Sequence, residues 1–237
     1  MKFYDLNRNC IGLSDWTNSY KPFYFLGGPT FGKRICRRNQ ASPFIENIII
    51  KILNPTYQIN HDDIQLILAW KVGAIDHAKS IDKIFYKPGW LENYSYASSY
   101  GSKSLEVAIQ QIKDNLNELL NNTAETLYSE FTQSGRYPGI GNVYAITLIY
   151  FFTKMKFPII DKYAFCAAKA IINEIKPNNR FKDRLINWDT YQEYLEYLRN
   201  LFGTYSIDRS TDQALWCYGH WFNENSSKNS ACDSNCG

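Results

Sequence analysis

The stretch GRYPGIGNVYAITLIYFF, residues 135–152, places a proline and two glycines directly before a run of aliphatic and aromatic residues. It predicts a helix that ends at Gly135, a tight turn, and a second helix that begins just after Gly141. The first N–H groups of the second helix lack partners within the helix and lie at the positive end of its dipole. Because glycine has no Cβ, another molecule can approach these groups closely, and phosphate is the anion that this geometry favours. We expect Ile140, between the glycines, to point inward and anchor the turn.

The rest of the chain also has the periodicity of helices. Residues 105–119 carry an apolar stripe at three- and four-residue spacing. No alternating strand pattern competes with it, so the sequence predicts an all-α fold, with the first forty residues mostly as loop and residues 225–237 as a disordered tail. Helical spacing after a capping residue recurs in SPFIENIIIKIL, HDDIQLILAWKVG, DKYAFCAAKAIINEI, DTYQEYLEYLRNLFG and STDQALWCYGHWF.

Length and composition restrict the setting of this fold. The chain has 237 residues, of which 45% are hydrophobic, enough for one large domain or two smaller lobes. The longest apolar run, residues 143–152, is about half as long as a membrane span, and charged residues precede any apolar stretch at the N-terminus. We therefore expect an intracellular protein with no membrane partner. The net charge of +3 excludes little, and two basic clusters, residues 33–38 and 176–184, are interpreted as solvated loops, with phosphate contact as the alternative.

The cysteines do not form a recognisable metal motif. Six stand at positions 10, 36, 166, 217, 232 and 236, and the first four are isolated, which is typical of small core residues. Cys232 and Cys236 lie in the polar tail, and together with Cys217 or His220 they offer a candidate metal site. No pair has the two-residue spacing of a compact zinc or iron–sulfur knuckle, so we expect no metal and no other cofactor.

Residues 137–165, YPGIGNVYAITLIYFFTKMKFPIIDKYAF, carry a more specific pattern. They resemble the helix-hairpin-helix signature of the DNA glycosylase superfamily that includes endonuclease III, the adenine glycosylases and the alkyl-purine glycosylases. In that family the hairpin is Leu-Pro-Gly-Val/Ile-Gly, and a catalytic aspartate follows after a helix and a short loop that contains proline. Here the loop is KFPIID, and Asp161 lies 22 positions after Gly139, the spacing of the endonuclease III branch.

The resemblance implies two helical lobes with a DNA-binding cleft. The first is a helical barrel, residues 43–155, that ends with the hairpin at residues 136–141. The second combines residues 1–42 with 156–237. The implied partner is double-stranded DNA with a lesion or mismatch, bound by a monomer that is cytoplasmic and nucleoid-associated in a bacterium or nuclear in a eukaryote. The DNA-binding residues that this implies are Pro138, Gly139, Ile140, Gly141, Val143 and Lys162.

Asp161 is the catalytic carboxylate that the resemblance implies. Its charge would stabilise the positive charge that develops on the deoxyribose as the base leaves, and it would orient or deprotonate the attacking water. Aspartate is also a favoured N-cap, and DKYAFCAAKA has the pattern of a helix start, so Asp161 has a structural interpretation as well. The two interpretations are compatible, because a capping carboxylate can also face a cleft.

Several positions depart from the family pattern. Bifunctional members have a lysine two residues after the second hairpin glycine, where its amine attacks the sugar, and this chain has Val143. We therefore expect a monofunctional glycosylase that uses water, and we interpret Lys154, Lys156 and Lys162 as solvated. Asn142 stands where a basic residue is common, Cys166 where arginine is frequent, and the C-terminal iron–sulfur cysteines of endonuclease III are absent.

The residues that would hold a flipped base are less well marked. Tyr144, Trp70 and Trp216 are the candidates, with core packing as the alternative for each. Asp212, Gln213 and His220 are expected either to face the cleft or to serve their own helix. Two hypotheses result: a monofunctional DNA glycosylase, or a non-catalytic helix-hairpin-helix DNA-binding protein in which Asp161 is only a cap.

Overall fold

A computed structural model describes residues 3–5, 9–26, 42–93, 103–174 and 186–228. Contacts divide the chain into two compact units, Ser42–Ile159 and the combination of Met1–Ala41 with Ile160–Gly237. We call the first the hairpin unit and the second the Asp161 unit. The boundaries expected from the sequence fall after residues 42 and 155.

The described part of the chain is mostly helical, as the sequence predicts. Two short antiparallel strands, β1 (Phe3–Tyr4) and β2 (Cys10–Ile11), pair Phe3 with Ile11. A 3-10 helix, Lys21–Leu26, follows the first α-helix. The α-helices are α1 (Leu13–Tyr20), α2 (Pro43–Leu53), α3 (His61–Lys71), α4 (Trp90–Asn93), α5 (Lys103–Asp114), α6 (Leu116–Leu119), α7 (Ala124–Thr132), α8 (Asn142–Phe152), α9 (Lys162–Ile172), α10 (Trp188–Phe202) and α11 (Arg209–Lys228).

Helix α8 forms the centre of the hairpin unit. Every residue from Tyr144 to Phe152 is buried, because the helix is apolar on all sides and packs against α3 and α7. Helix α7 begins after Thr123, whose hydroxyl accepts a hydrogen bond from the N–H of Thr126. None of the helices in the described ranges combines the length and the apolar character that a bilayer span requires.

Helices α9 and α11 pack against each other in the Asp161 unit. Helix α10 lies against α9, and α1 and the 3-10 helix lie against α11. Helix α10 starts with a capping box between Asn187 and Thr190, and it ends at Gly203, which has a φ of +74°. Helix α9, which begins directly after Asp161, thus packs against both α10 and α11.

The expectation that the first forty residues are mostly loop is wrong for residues 13–26. Trp16 and Tyr20, four residues apart on α1, are both buried. The Trp16 ring lies 5.7 Å from that of Tyr218 on α11, and the Tyr20 ring lies 6.1 Å from that of Trp221. Tertiary packing stabilises a helix that is only eight residues long and marginal alone. Gly27, Gly28, Pro29 and Gly32 lie outside the described residues.

The predicted disordered tail begins too early. Helix α11 continues to Lys228, through four of the residues assigned to the tail at 225–237. Extending an existing helix adds one backbone hydrogen bond for each residue fixed, so a polar sequence can continue a helix whose earlier turns are anchored. The anchor is the buried face of α11, which includes Trp221 and Phe222. Residues 229–237 and the basic clusters lie outside the described part of the chain.

We predict that Trp16→Ala lowers the free energy of unfolding by about 3–5 kcal/mol, because it removes a buried indole that contacts Phe3, Tyr20 and Tyr218. Leu13→Ala is the matched control on the same helix. Leu13 is 38% exposed, and its truncation should change the stability by about 0.5 kcal/mol or less. Urea denaturation measures both, and equal losses would contradict the docking of α1 onto α11.

Candidate functional site

The turn between α7 and α8 is fixed by glycines and by one buried side chain. Gly135 and Gly139 have φ values of +70° and +84°, in the left-handed region that favours glycine. The N–H of Ile140 donates to the carbonyl of Tyr137 at 3.2 Å, and the Ile140 side chain is buried. Ile140 thus anchors the turn, and its side chain is not available to a partner, whereas Pro138 and Gly139 are partly exposed.

Gly141, the N-cap of α8, has no structural need to be glycine. Its φ of −88° and ψ of 178° are open to any residue, and a Cβ built on it meets no described atom within 4 Å. As a glycine, Gly141 provides no side-chain cap for the helix. The first N–H groups of α8 therefore lie beside an exposed residue, with open space where a side chain would be.

Neighbouring side chains tie this turn to the hairpin unit. The Tyr128 hydroxyl donates to Oδ1 of Asn142 at 2.7 Å, which joins α7 to the start of α8. The Arg136 guanidinium lies 3.5 Å from Glu118 and 4.0 Å from Glu130 and contacts the Tyr137 ring. These ion pairs are largely exposed and contribute little stability. Arg136 is therefore engaged within the protein.

Asp161 caps α9 through one of its two carboxylate oxygens. Oδ1 accepts hydrogen bonds from the N–H groups of Tyr163 and Ala164, both at 2.8 Å, and the backbone is extended as in other N-caps. Within the described residues, Oδ2 makes no hydrogen bond, and Asp161 is partly exposed. The capping interpretation is therefore confirmed, and it leaves one carboxylate oxygen uncommitted.

Aromatic rings from α9, α11 and the 3-10 helix gather next to this cap. We call Tyr24, Tyr163, Trp216 and His220 the aromatic cluster. The Tyr163 and His220 rings stack with 3.5 Å between their centres and 22° between their planes. The Trp216 ring lies 4.1 Å from His220 and 5.6 Å from Tyr24. Tyr163, Trp216 and His220 pack against one another, and each of these residues is partly exposed as a whole.

His220 is a neutral member of the aromatic cluster. Burial lowers the pKa of His220 to about 4; the Asp161 carboxylate acts in the opposite direction, and the Lys162 ammonium lowers it further. Its Nε2 atom is inaccessible to solvent and has no hydrogen-bond partner among the described residues. At physiological pH the ring therefore stacks without carrying charge beside Asp161.

Gly219 is a point of close backbone contact between α11 and α9. A Cβ built on it would lie 2.0 Å from the carbonyl oxygen of Tyr163 and 2.5 Å from its carbonyl carbon. Real Cβ atoms do not approach backbone atoms so closely, so glycine is required here for packing. Tyr163 is thus held against α11 by its backbone as well as by its ring.

An ion pair at the start of α11 contacts the aromatic cluster through Tyr24. Arg209 pairs with Asp212, and both side chains are largely buried. The second guanidinium nitrogen of Arg209 donates to the Tyr24 hydroxyl at 2.7 Å, and the guanidinium lies 5.0 Å from the centre of the Tyr24 ring. Asp212 and Gln213 are only 5% and 4% exposed, so both side chains are buried within the Asp161 unit.

The other predicted base-pocket residues lie in the hairpin unit. Tyr144 is 3% exposed within the core around α8, and Trp70 packs edge-on against Phe151 at 5.7 Å. Trp216 belongs to the aromatic cluster beside Asp161. Sequence reasoning missed Tyr24, Tyr163 and Gly219. Only Tyr163 had a local signal, since it follows Asp161 by two residues.

The lysines near Asp161 in sequence have different environments. Lys154 Nζ donates to the carbonyl of Ile52 at 2.6 Å and lies over the Tyr57 ring, and burial lowers the pKa of Lys154. The expectation that Lys154 is solvated is therefore wrong, because its ammonium group binds a backbone carbonyl in the last turn of α2. Lys156 and Lys162 are exposed, and Lys162 Nζ lies 5.1 Å from the centre of the Tyr163 ring. Val143 is partly exposed at the start of α8.

The candidate metal ligands do not meet within the described ranges. No group of three or more histidine, cysteine, aspartate or glutamate side chains with metal-binding geometry occurs there. Cys217 is buried, and burial raises the pKa of its thiol. Cys232 and Cys236 lie outside the described residues.

We predict that His220 destabilises the protein in acid. The unfolded chain binds a proton at His220 below about pH 6.5, whereas the folded protein does not until about pH 4. Stability that is present above pH 6.5 is therefore lost as the pH falls toward 4. Between pH 7 and pH 4.5 the free energy of unfolding should therefore fall less in His220→Gln than in the wild type, by about 2–3 kcal/mol.

Urea denaturation at the two pH values tests this prediction. His61→Gln, at an exposed position, is the matched control for the change from histidine to glutamine, and its loss should exceed that of His220→Gln. Burial also lowers the pKa of His77, so some acid sensitivity should remain in His220→Gln. A loss of wild-type size in His220→Gln would contradict the buried, neutral state of His220.

No protein-family model, curated protein or solved structure matches the chain.

Proposed function

We propose that the protein is a monofunctional DNA glycosylase of base-excision repair that hydrolyses the N-glycosidic bond of a damaged or mismatched base. The observation that carries the proposal is the geometry of Asp161. Oδ1 binds two backbone N–H groups, which fixes the side chain, and Oδ2 makes no hydrogen bond within the described residues. A carboxylate held in this way has one oxygen committed to structure and one available for chemistry.

The chemistry requires a fixed negative charge. As the base departs with the electrons of the glycosidic bond, positive charge develops on the deoxyribose. A carboxylate about 4 Å away in a partly shielded site stabilises that charge by roughly 4 kcal/mol. The same group can orient the attacking water and accept its proton, so that the water oxygen replaces the base on the sugar. Asp161 has the charge and the rigid support that both roles need.

The aromatic cluster supplies surfaces on which a flipped base can stack. Enzymes that act on a base in duplex DNA extrude it and hold it against aromatic side chains. Trp216 and Tyr163 are partly exposed and contact His220, in the unit that carries Asp161. Trp216 is therefore our first choice for the stacking residue among the three candidates.

The hairpin supplies a candidate site for the DNA backbone. Gly141 is exposed, the first turn of α8 has no side-chain cap, and no described atom fills the space beside the glycine. A phosphate oxygen can accept from the N–H groups there, where the helix dipole also favours a negative charge. The partner in this proposal is double-stranded DNA, and contacts to its phosphates would position the strand rather than read its sequence.

Water, rather than a lysine, is the nucleophile in this proposal. Bifunctional members of the DNA glycosylase superfamily have lysine at the position that Val143 occupies in this chain. Lys154 is engaged at the end of α2 and contacts Tyr57. Lys162 is exposed and lies over the Tyr163 ring.

A non-catalytic DNA-binding protein is the second candidate function. The observation in its favour is that Asp161 forms a full N-cap, with two short hydrogen bonds, which is sufficient reason for an aspartate at the start of α9. The two functions share the hairpin and differ in whether Oδ2 of Asp161 takes part in a reaction.

We predict that Asp161→Asn slows base excision by about 100-fold or more, the scale expected of a positioned acid or base, with duplex binding retained. Asparagine is as good an N-cap as aspartate and keeps the side-chain oxygen that accepts from Tyr163 and Ala164, so the substitution removes charge and preserves the cap. Excision is measured on duplexes that each carry one lesion or mismatch.

Asp189→Asn is the matched control, because Asp189 is an exposed aspartate in the first turn of α10 and should keep the wild-type rate. If the wild-type protein excises no base but binds DNA in a salt-sensitive way, the non-catalytic function replaces the enzyme. If it does not bind duplex DNA even at low salt, both functions fail, and an unrelated helical enzyme becomes the better hypothesis.

We predict that Gly141→Ser weakens duplex binding by about tenfold without lowering stability. Serine is a favoured N-cap, and its Oγ would accept from the N–H groups that we assign to phosphate, at a cost of about 1–1.5 kcal/mol in binding. The unfolding free energy should stay unchanged or rise by a few tenths of a kcal/mol. Fluorescence anisotropy with a labelled duplex measures the affinity.

Gly12→Ser is the control for this substitution. Gly12 is the N-cap of α1, with extended backbone and no side-chain cap, so serine has the same local chemistry there. Its affinity for DNA should equal that of the wild type. Unchanged affinity in Gly141→Ser would remove the α8 start from the DNA-binding surface.

A further inference from the structure

Two consecutive residues of α11, Gly219 and His220, contact one residue of α9. The Gly219 backbone lies against the carbonyl of Tyr163, since a Cβ built on the glycine would be 2.0 Å from that oxygen. The His220 imidazole stacks on the Tyr163 ring at 3.5 Å. Tyr163 is therefore held at both its backbone and its side chain by one helix.

Tyr163 is also one of the two residues that fix Asp161. Its N–H donates to Oδ1, and the N–H of Ala164 donates to the same oxygen. N–H groups in the first turn of a helix have no partner four residues earlier, so the Asp161 cap holds them. A shift of Tyr163 would move the donors and with them the carboxylate.

We propose that His220 is a positioning residue for Asp161: in contact with Tyr163 and Trp216, it holds the first turn of α9 in place and so sets the direction of the carboxylate. The proposal rests on the proposed function of Asp161 as the catalytic group. His220 acts through Tyr163 and does not touch the reacting atoms, because its Nε2 is enclosed.

The neutrality of the ring suits this role. The charged groups that act on His220 lie at the start of α9: the N-cap Asp161, which favours protonation of the imidazole, and Lys162, which opposes it. Since burial dominates, the imidazole is neutral at physiological pH and does not cancel the negative charge that Asp161 needs. A flat, uncharged ring can hold the helix start without forming an ion pair with its carboxylate.

Amide hydrogen exchange of Tyr163 and Ala164 tests the proposal without any assay of activity. Both amides donate to Asp161, so their protection reports the position of the cap. We expect His220→Ala to raise their exchange rates by about tenfold or more, because the stacking partner of Tyr163 is lost. His220→Phe keeps a flat ring and should stay within about threefold of the wild type. The amide of Ala168, in the buried middle of α9, controls for general unfolding.

Three results would overturn the proposal. The first is unchanged exchange of Tyr163 and Ala164 in His220→Ala, and the second is an equal rise at Ala168. The third is a rise in His220→Phe as large as in His220→Ala. Should His220→Ala not fold, His220→Leu replaces it, because leucine fills much of the same volume without a ring to stack.

Single-turnover excision provides the second measurement. If His220 acts through Asp161, introducing His220→Ala into the wild-type protein lowers the excision rate. Introducing it into the Asp161→Asn variant lowers the rate no further. Additive losses would show that His220 acts independently, which contradicts the proposal. If the wild type excises no base, the proposed function fails, and the exchange rates still decide whether His220 positions Asp161. If excision is normal in His220→Ala and exchange is unchanged, the proposed function stands and this inference fails.

Discussion

The Asp161 unit depends on the close crossing of α11 over α9 at Gly219. A side chain at this position would collide with the carbonyl of Tyr163, so the absence of one sets the distance between the two helices. At that distance His220 can stack on Tyr163, and Trp216 can contact His220. The N–H of Tyr163 in turn holds Asp161. A single packing constraint thus leads, within a few residues, to the carboxylate on which our account of function rests.

Packing requires glycine at Gly219 but not at Gly141. At Gly219 the space for a Cβ is occupied by the protein itself, and the fold explains the residue completely. At Gly141 the backbone is open to any residue, the space for a Cβ is empty within the described residues, and serine or aspartate would cap α8 better. The fold therefore does not explain the second glycine. Close approach by another molecule, as in the phosphate contact that we propose at the exposed start of α8, would explain it.

The parts of the structure that the sequence predicts are those with local causes. The turn at Gly139, the buried helix α8 and the cap at Asp161 all follow from spacing and residue type over short distances. Helix α1 was missed because Trp16 and Tyr20 are stabilised by contacts with Tyr218 and Trp221 of α11, about two hundred residues away. The aromatic cluster was missed as a unit for the same reason. Its members stand at positions 24, 163, 216 and 220, and no local pattern relates them.

The proposed reaction depends on one step, in which Asp161 directs water to the sugar of an extruded nucleotide. Mass spectrometry of a duplex strand after incubation with the wild-type protein tests it most directly, on substrates that each carry one damaged or mismatched base. The account predicts that one substrate loses its free base and gains one water, which leaves an uncut strand with an abasic site. Unchanged strand masses under conditions of duplex binding would contradict the catalytic role of Asp161. A cleaved strand would contradict the use of water in place of a lysine.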